Sequence, residues 1–337
     1  MILTVQEYGA KIGKRSNCLT ITSSKGEREI CADKVKELHI CPACNISADA
    51  VQLCMEKDIW ILFLDSYGNP KGEILPFSGG SSPIYKRKQL LLTHSREGVE
   101  LVKGFLLKKI GNRIHQLEQI LLESADGDGI LYLNTRIKSM KESEEKLKSV
   151  QGMDMDEVRE TLQGIEGSAG RPYFESISFL MPADMKFSQR RRNAQDVYNC
   201  VLNYLYGILY AKIKKMMYQC RLDPYIGIMH VDIYNKPTFV FDFIEGQRIL
   251  CEEIAYEICH ARLITFDDMN PDVNDANGRL LFTEEAKKML ISRFYSALQQ
   301  KVYWKKKRIT RERKMYMELL EVAEMIGEKK EDVLAVV

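Results

Sequence analysis

The chain contains no run of about 18 apolar residues, so no membrane-spanning helix and no membrane partner are expected. Its start, Met1-Ile-Leu-Thr-Val, lacks the basic and long apolar regions of an export signal. Nine cysteines, an odd number, follow no disulfide-framework spacing. Free thiols in a reducing cytoplasm fit these absences. An excess of charge is also missing: 49 Lys and Arg against 47 Asp and Glu leave +2, which excludes a polycation that holds its partners through bulk charge. Nor is any sequence repeat visible.

Three tempting motifs are incomplete. Gly9-Ala-Lys-Ile-Gly13-Lys14-Arg15 is one residue short between its glycines for a phosphate loop. It also carries Arg where the Mg²⁺-binding Ser or Thr should follow Lys, so no nucleoside triphosphate is implied. Asp272-Val-Asn274-Asp275-Ala-Asn277-Gly278 has its glycine one place late for a calcium loop and Thr283 at the twelfth position, and reads as a plain loop. His39-Ile-Cys41-Pro-Ala-Cys44 supplies one cysteine pair where a structural zinc site needs two, and no thioredoxin-like βαβ pattern surrounds it.

The composition that remains is that of an ordinary globular protein, and 337 residues suggest two domains. Cys18-Leu-Thr-Ile-Thr and Ile59-Trp-Ile-Leu-Phe-Leu are strand-like runs, with turn signals at Lys25-Gly26 and Tyr67-Gly68-Asn69-Pro70. One short helix is expected over 45–57, capped by Ser47. The Gly/Ser/Pro stretch 77–83 reads as a linker. Beyond it the pattern is helical: 86–122, bent or broken near Gly104 and Gly111; 131–150; 154–179, interrupted at Gly170 and Pro172; 196–220; 284–307, capped by Thr283; and a last helix to Ile326. The expected fold is α+β: a small β-rich amino-terminal domain, residues 1–83, then a larger all-α-helical domain, residues 84–337.

The chemistry concentrates between Leu222 and Arg248. An apolar run from Tyr225 to Met229 delivers His230, Asn235-Lys236-Pro237 reads as a turn, and Thr238 to Phe241 as a short strand-like buried run. Asp242 and Glu245 then open a helix. An imidazole and acids at the end of a buried element suit a divalent metal. The same residues suit a simple capping box, with Asp242 and Glu245 on the free N–H groups of the first helical turn and His230 in the core. Upstream, Glu166 stands between Gly164 and Gly167, small neighbours that let a bulky charged ligand approach the helix. Basic residues cluster at Lys186 with Arg190, Arg191 and Arg192, and at Lys212, Lys214, Lys215 and Arg221. Eight more lie between Lys301 and Lys314 against the single acid Glu312. Such stripes suit phosphate contacts, and equally suit solvated helix faces.

Taken in order, Ile59-Trp-Ile-Leu-Phe-Leu-Asp65-Ser-Tyr-Gly68, Lys109-Ile-Gly-Asn112, Gly164-Ile-Glu166-Gly167 with Tyr173-Phe174, and Asp196-Val-Tyr-Asn199-Cys-Val-Leu-Asn203-Tyr-Leu-Tyr206 form a series. Leu222-Asp-Pro-Tyr-Ile-Gly227-Ile-Met-His230 and Asp242-Phe-Ile-Glu245-Gly-Gln-Arg248 complete it. The series resembles the CRISPR-associated spacer-acquisition integrase family, the larger of the two core adaptation proteins. The resemblance implies metal ligands, and so catalytic residues, at Glu166, His230 and Glu245, with Asp242 behind them or capping. Pro172, and Gly246-Gln247 before Arg248, depart from the family pattern.

The implied reaction joins the 3′-hydroxyls of a short spacer duplex to phosphodiesters of a CRISPR repeat. It is a transesterification that uses Mg²⁺ or Mn²⁺ and no ATP. Double-stranded DNA, a second copy of the chain docked through the β-rich domain, and the small adaptation protein are the implied partners. Arg171, Arg190, Arg191, Arg192, Lys212, Lys215 and Arg248 are candidate DNA contacts, 301–314 serves DNA or the partner protein, and Tyr206 and Tyr210 are candidates for stacking or core. The residues also allow a metal-dependent nuclease that does not integrate, and a non-catalytic DNA-binding scaffold.

Overall fold

The computed structural model describes residues 2–64, 70–76, 83–123, 127–192, 195–274 and 280–327. Most of the expected linker, 77–82, and part of the calcium-like loop, 275–279, lie outside the described residues. The chain separates into two compact units, Met1–Gly80 and Ser81–Val337.

In the first unit β2 (Lys11–Arg15), β3 (Cys18–Ser23) and β4 (Gly26–Cys31) form an antiparallel meander, extended by β6 (Asn45–Ile46) parallel to β2. A second sheet runs β1 (Ile2–Val5), β5 (Glu37–Ile40), β7 (Trp60–Leu64), β8 (Pro70–Ile74), parallel except for the last pair. Helix α1 (Ala48–Glu56) begins at Ser47, whose side chain accepts from the Ala50 N–H. Alternation along the strands buries Leu3, Val5, Ile12, Leu19, Ile21, Leu38 and Ile61 in one core with Leu53 of α1. Gly13 lies within β2 against Thr20, where a Cβ would stand 2.8 Å from its hydroxyl. The segment resembling a phosphate loop is therefore largely sheet. The Cys44 thiol donates to the Val5 and Glu7 carbonyls, a structural use of that cysteine.

The second unit is helical, built from α2 (Pro83–Leu92), α3 (Arg96–Glu123), α4 (Gly127–Ser149), α5 (Met155–Leu180), α6 (Val197–Gln219), α7 (Thr238–Ile244), α8 (Ile249–His260), α9 (Glu284–Gln299) and α10 (Arg311–Ile326). Asp154, Asp196, Thr283 and Thr310 cap α5, α6, α9 and α10 through their side-chain oxygens. Their apolar faces meet in a single core, from Val99, Leu106 and Leu117 of α3 through Leu205 and Ile213 of α6 to Phe294 and Leu319.

Several expectations are corrected. Helix α3 passes through Gly104 and Gly111 without a break, and α5 through Gly170 and Pro172. Burial of Ala169, Pro172, Tyr173, Ser176 and Ile177 outweighs the weak local propensity. Residues 238–241 belong to helix α7, not to a strand; an apolar run of four has no periodicity of its own to decide between the two. The helix after Thr283 ends at Gln299, and a hairpin follows, β11 (Lys301–Trp304) with β12 (Lys307–Thr310). Its turn residues, Lys305 and Lys306, both have positive φ (44° and 65°), which hairpin twist demands and two lysines give no hint of. With a second small pair, β9 (Met269–Asn274) and β10 (Leu280–Phe282), the larger unit is mostly rather than wholly helical.

Candidate metal centre

The loop that carries His230 begins where α6 stops. The Leu222 N–H bonds to the Met217 carbonyl (2.9 Å) and the Arg221 N–H to that of Tyr218 (3.1 Å), a Schellman ending with Arg221 in the left-handed region. Along 223–230 side chains take the place of a strand ladder. The buried Gln89 amide donates to the Asp223 and Ile226 carbonyls and accepts from the Asp223 N–H; Thr93 donates to the Gly227 carbonyl and Arg159 to that of Met229. Gly227 must be glycine for packing reasons: a Cβ there would lie 2.4 Å from the His230 carbonyl oxygen.

Asp242 completes this clamp. It sits inside α7, 1 % exposed, so it caps no helix, and the capping-box reading fails. Its carboxylate accepts from the backbone N–H groups of Ile228 (2.6 Å), Met229 (3.2 Å) and His230 (3.0 Å). It also lies 2.7 Å from His230 Nδ1. A carboxylate on one ring nitrogen directs the other, Nε2, toward a ligand, the usual support behind a metal-binding histidine. Burial works against a charged His230 ring, but the bond to Asp242 and the charges of Asp242, Glu245 and Glu166 prevail and raise its pKa.

Glu245 starts the single 3-10 turn Glu245–Gln247 between α7 and α8 and is 2 % exposed. Arg248 holds it from one side (Nη2 to Oε1 2.6 Å, Nε to Oε2 2.9 Å). Lys109 of α3 holds it from the other (Nζ to Oε2 2.5 Å), and the same ammonium reaches Glu166 Oε1 of α5 at 2.5 Å. Burial disfavours the Glu245 carboxylate, yet Arg248 and Lys109 together hold its pKa well below the usual range. Gly246 permits the approach of α3, since a Cβ there would stand 3.2 Å from Lys108 Cδ and 3.6 Å from the Phe105 carbonyl oxygen. Beside Glu166 the surface is open: a Cβ on Gly164 or Gly167 would meet nothing within 4 Å.

The fold thus brings Glu166 of α5 and Glu245 of the 3-10 turn onto the buried Lys109, and pairs His230 of the loop with Asp242 of α7, one turn before Glu245. Carboxylate oxygens converging on an ammonium, with an oriented imidazole beside them, are a donor set that suits Mg²⁺ or Mn²⁺. Among the described residues, the donor trio whose atoms all lie within 4.8 Å of one another is another one, His94, Asp154 and Asp156. Local roles account for it: Asp154 caps α5 and pairs with His94, and Asp156 pairs with Arg159.

The candidate DNA contacts divide sharply. Arg171, Arg191 and Arg192 are exposed, Arg171 in an ion pair with Glu175. Arg190 is half-buried and donates to Asn199 and Asn203; Lys212 is turned inward to Glu312 (2.7 Å); Arg248 is committed to Glu245. Lys215 is half-buried. Tyr206 is a core residue whose hydroxyl donates to Glu252 (2.7 Å), and Tyr210 is half-buried against Phe241. The 301–314 cluster lies on the hairpin and the start of α10. Sequence reasoning did not single out Lys109 as a site residue. The available signal was a cation lodged in the apolar stripe Val99, Val102, Leu106, Ile110, Ile114 and Leu117.

The sequence profile of the family described as CRISPR associated protein Cas1 matches residues 3–296. The chain belongs to the Cas1 family. A curated relative from Archaeoglobus fulgidus, named CRISPR-associated endonuclease Cas1 1, is 28% identical over 319 residues, covering 90% of each chain. Among solved structures, a CAS1 protein from Thermotoga maritima superposes with a TM-score of 0.77 at 18% identity, covering 98% of each chain. A casposase bound to integration product gives 0.77 at 19% identity, covering 96% of this chain and 90% of the other. The Cas1 fold is therefore that of this chain, with its β-rich amino-terminal region and helical remainder. Among the described residues no helix is long and apolar enough to cross a membrane.

Proposed function

We propose that this Cas1-family chain is a divalent-metal-dependent DNA strand-transfer enzyme of CRISPR adaptation. The observation that carries the reading is the convergence of Glu166 and Glu245 on one cation beside a histidine oriented by a buried aspartate. Glu166, Glu245 and His230 Nε2 would hold Mg²⁺ or Mn²⁺. When bound, the ion supplies charge neutralisation at the reacting phosphate and lowers the pKa of the entering hydroxyl.

The protein's own residues do the positioning. Asp242 fixes the ring orientation of His230, and Arg248 keeps Glu245 ionised and in place. Open surface beside Gly164 and Gly167 leaves room for a DNA backbone next to Glu166. In the reaction the 3′-oxygen of the spacer forms a bond to a repeat phosphorus as the repeat's own 3′-oxygen leaves. One phosphodiester replaces another, and neither ATP nor a protein nucleophile enters. The nine free cysteines have no part in this chemistry.

Phosphate contacts would come from surface cations: Arg171, Arg191 and Arg192, and those of the hairpin. On the hairpin Lys301, Lys306, Lys307 and Arg308 are exposed and have no acidic partner among the described residues, and Tyr303, 78 % exposed, stands opposite Arg308. The partners would be duplex DNA, a second copy of the chain and the small adaptation protein. The endonuclease name of the Archaeoglobus relative supports phosphodiester chemistry, and the integration product held by the casposase supports joining.

The test is a strand-transfer assay with a labelled duplex bearing 3′-hydroxyls, a repeat-bearing plasmid, the small partner and Mn²⁺. Label should join plasmid with the wild type and fall at least about 100-fold with His230→Ala, roughly 2.7 kcal/mol of transition-state stabilisation. Cleavage without joining would establish a nuclease instead. Equal joining by both proteins would remove His230 from the site.

A further inference from the structure

Helix α3 delivers into the metal centre a cation that no assignment of ligands includes. We propose that Lys109 is the resident counter-ion of the acidic centre, and that a divalent metal binds by displacing its ammonium from between Glu166 and Glu245. This rests on the metal-centre reading above and deepens it.

Lys109 Nζ is 2.5 Å from an oxygen of each glutamate, and the residue is 6 % exposed. It therefore occupies the point where the two carboxylates converge. A Mg²⁺ ion bound by the same oxygens would sit about 2.0–2.1 Å from each. Ammonium and metal cannot share that point, and two cations in contact repel. One must leave.

Charge gives the exchange its purpose. Without Lys109, Arg248 is the one cation left hydrogen-bonded to either glutamate among the described residues, and it reaches Glu245 alone. Like charges at such range push each other apart. Lys109 keeps both ligands aimed at the common point before any metal arrives, and the metal inherits an arranged site. The cost is competition for the same oxygens. Helix α3 itself need not shift, because the flexible four-carbon stem of the lysine can swing while the helix stays packed on Gly246.

Removal of the ammonium should be tolerated. Glu245 keeps Arg248, the Glu166 side chain is 26 % exposed and can hydrate, and methionine matches the lysine stem. The experiment is calorimetric titration of the full-length chain with Mn²⁺, without DNA. Lys109→Met should bind Mn²⁺ at least about tenfold more tightly than wild type, and Lys109→Arg, which keeps the charge, no more tightly than wild type. Equal or weaker binding by Lys109→Met would overturn the proposal. A second measurement uses the wild type alone. With isotopically labelled lysine and Mg²⁺, the side-chain resonance missing from Lys109→Arg should move as the metal binds, and a fixed resonance at saturation would also overturn it.

Control titrations separate the two levels of inference. His230→Ala and Glu245→Gln should lose Mn²⁺ binding in both the wild-type and Lys109→Met backgrounds. Undiminished binding in those controls would sink the metal-centre reading, and the lysine exchange with it. Loss in the controls without a gain in Lys109→Met would sink the exchange alone.

Discussion

Two buried cations leave α3 one turn apart, and they live in different surroundings. Arg113 meets Glu252 in a closed cell: their side chains are 4 % and 0 % exposed, Tyr206 donates to the same carboxylate, and the guanidinium lies over the Tyr173 and Phe174 rings. Lys109 meets Glu166 and Glu245 in a cell with an open side, where the Glu166 and His230 side chains are 26 % and 31 % exposed. Both cells neutralise buried acid. Only the second has donors near solvent, an oriented imidazole and a cation on a flexible stem. Burial of charge is thus common to both cells, and what distinguishes them is whether an outside group can reach the donors.

That contrast can be broken most forcefully at Glu252. Glu252→Ala strands Arg113 in the core and should cost about 3–5 kcal/mol in urea denaturation, whereas Glu166→Ala should cost under about 1 kcal/mol because Lys109 keeps Glu245. Similar losses for both would erase the distinction. Next in size is Gly246→Ala. Its methyl would crowd Lys108, which is anchored to Glu318 at 2.5 Å, and lift α3 from the 3-10 turn. A loss of about 1–2 kcal/mol is expected, and an unchanged melting temperature would show that the contact is slack.

A smaller effect appears with pH. The raised pKa of His230 means that its charged form is favoured by folding. Its contribution to metal-free stability is then complete below the unfolded value of about 6.5 and fades as pH rises through the folded value. The stability difference between wild type and His230→Gln should therefore be larger at acid than at alkaline pH, and a flat difference would contradict the His230–Asp242 pairing. Smallest for the fold, though not for binding, is the hairpin. Lys306→Ala and Lys307→Ala should leave stability within about 0.5 kcal/mol. Each should lower the salt dependence of DNA affinity by about one unit of slope, and an unchanged slope would clear the hairpin of phosphate contact.

How much of this was legible depended on the range of the interaction concerned. Caps were read correctly at Ser47 and Thr283, because a cap is a contact between residues three apart. The helix through Pro172 and the helical state of 238–241 were not, because packing on distant elements decided them. The hairpin at 301–310 hid behind a turn of two lysines, with no glycine or asparagine to mark it. Asp242 read either as a cap or as a residue behind the metal ligands, and only the folded loop revealed three N–H groups and an imidazole on it. Arg248 and Lys212 looked like DNA-facing cations, since a run of residues does not reveal which way a long side chain turns.

By itself the sequence determined the class of the protein. Its hydrophobic periodicities, cap residues and ordered motifs specified a β-rich start, a helical remainder and the segments carrying Glu166, His230 and Glu245, all of them local patterns. Tertiary structure alone decided the company those residues keep. Lys109 lies 57 and 136 positions from the glutamates it bridges. Partnerships at that range arise when helices pack, and their geometry follows from the shape of the core rather than from any spacing along the chain.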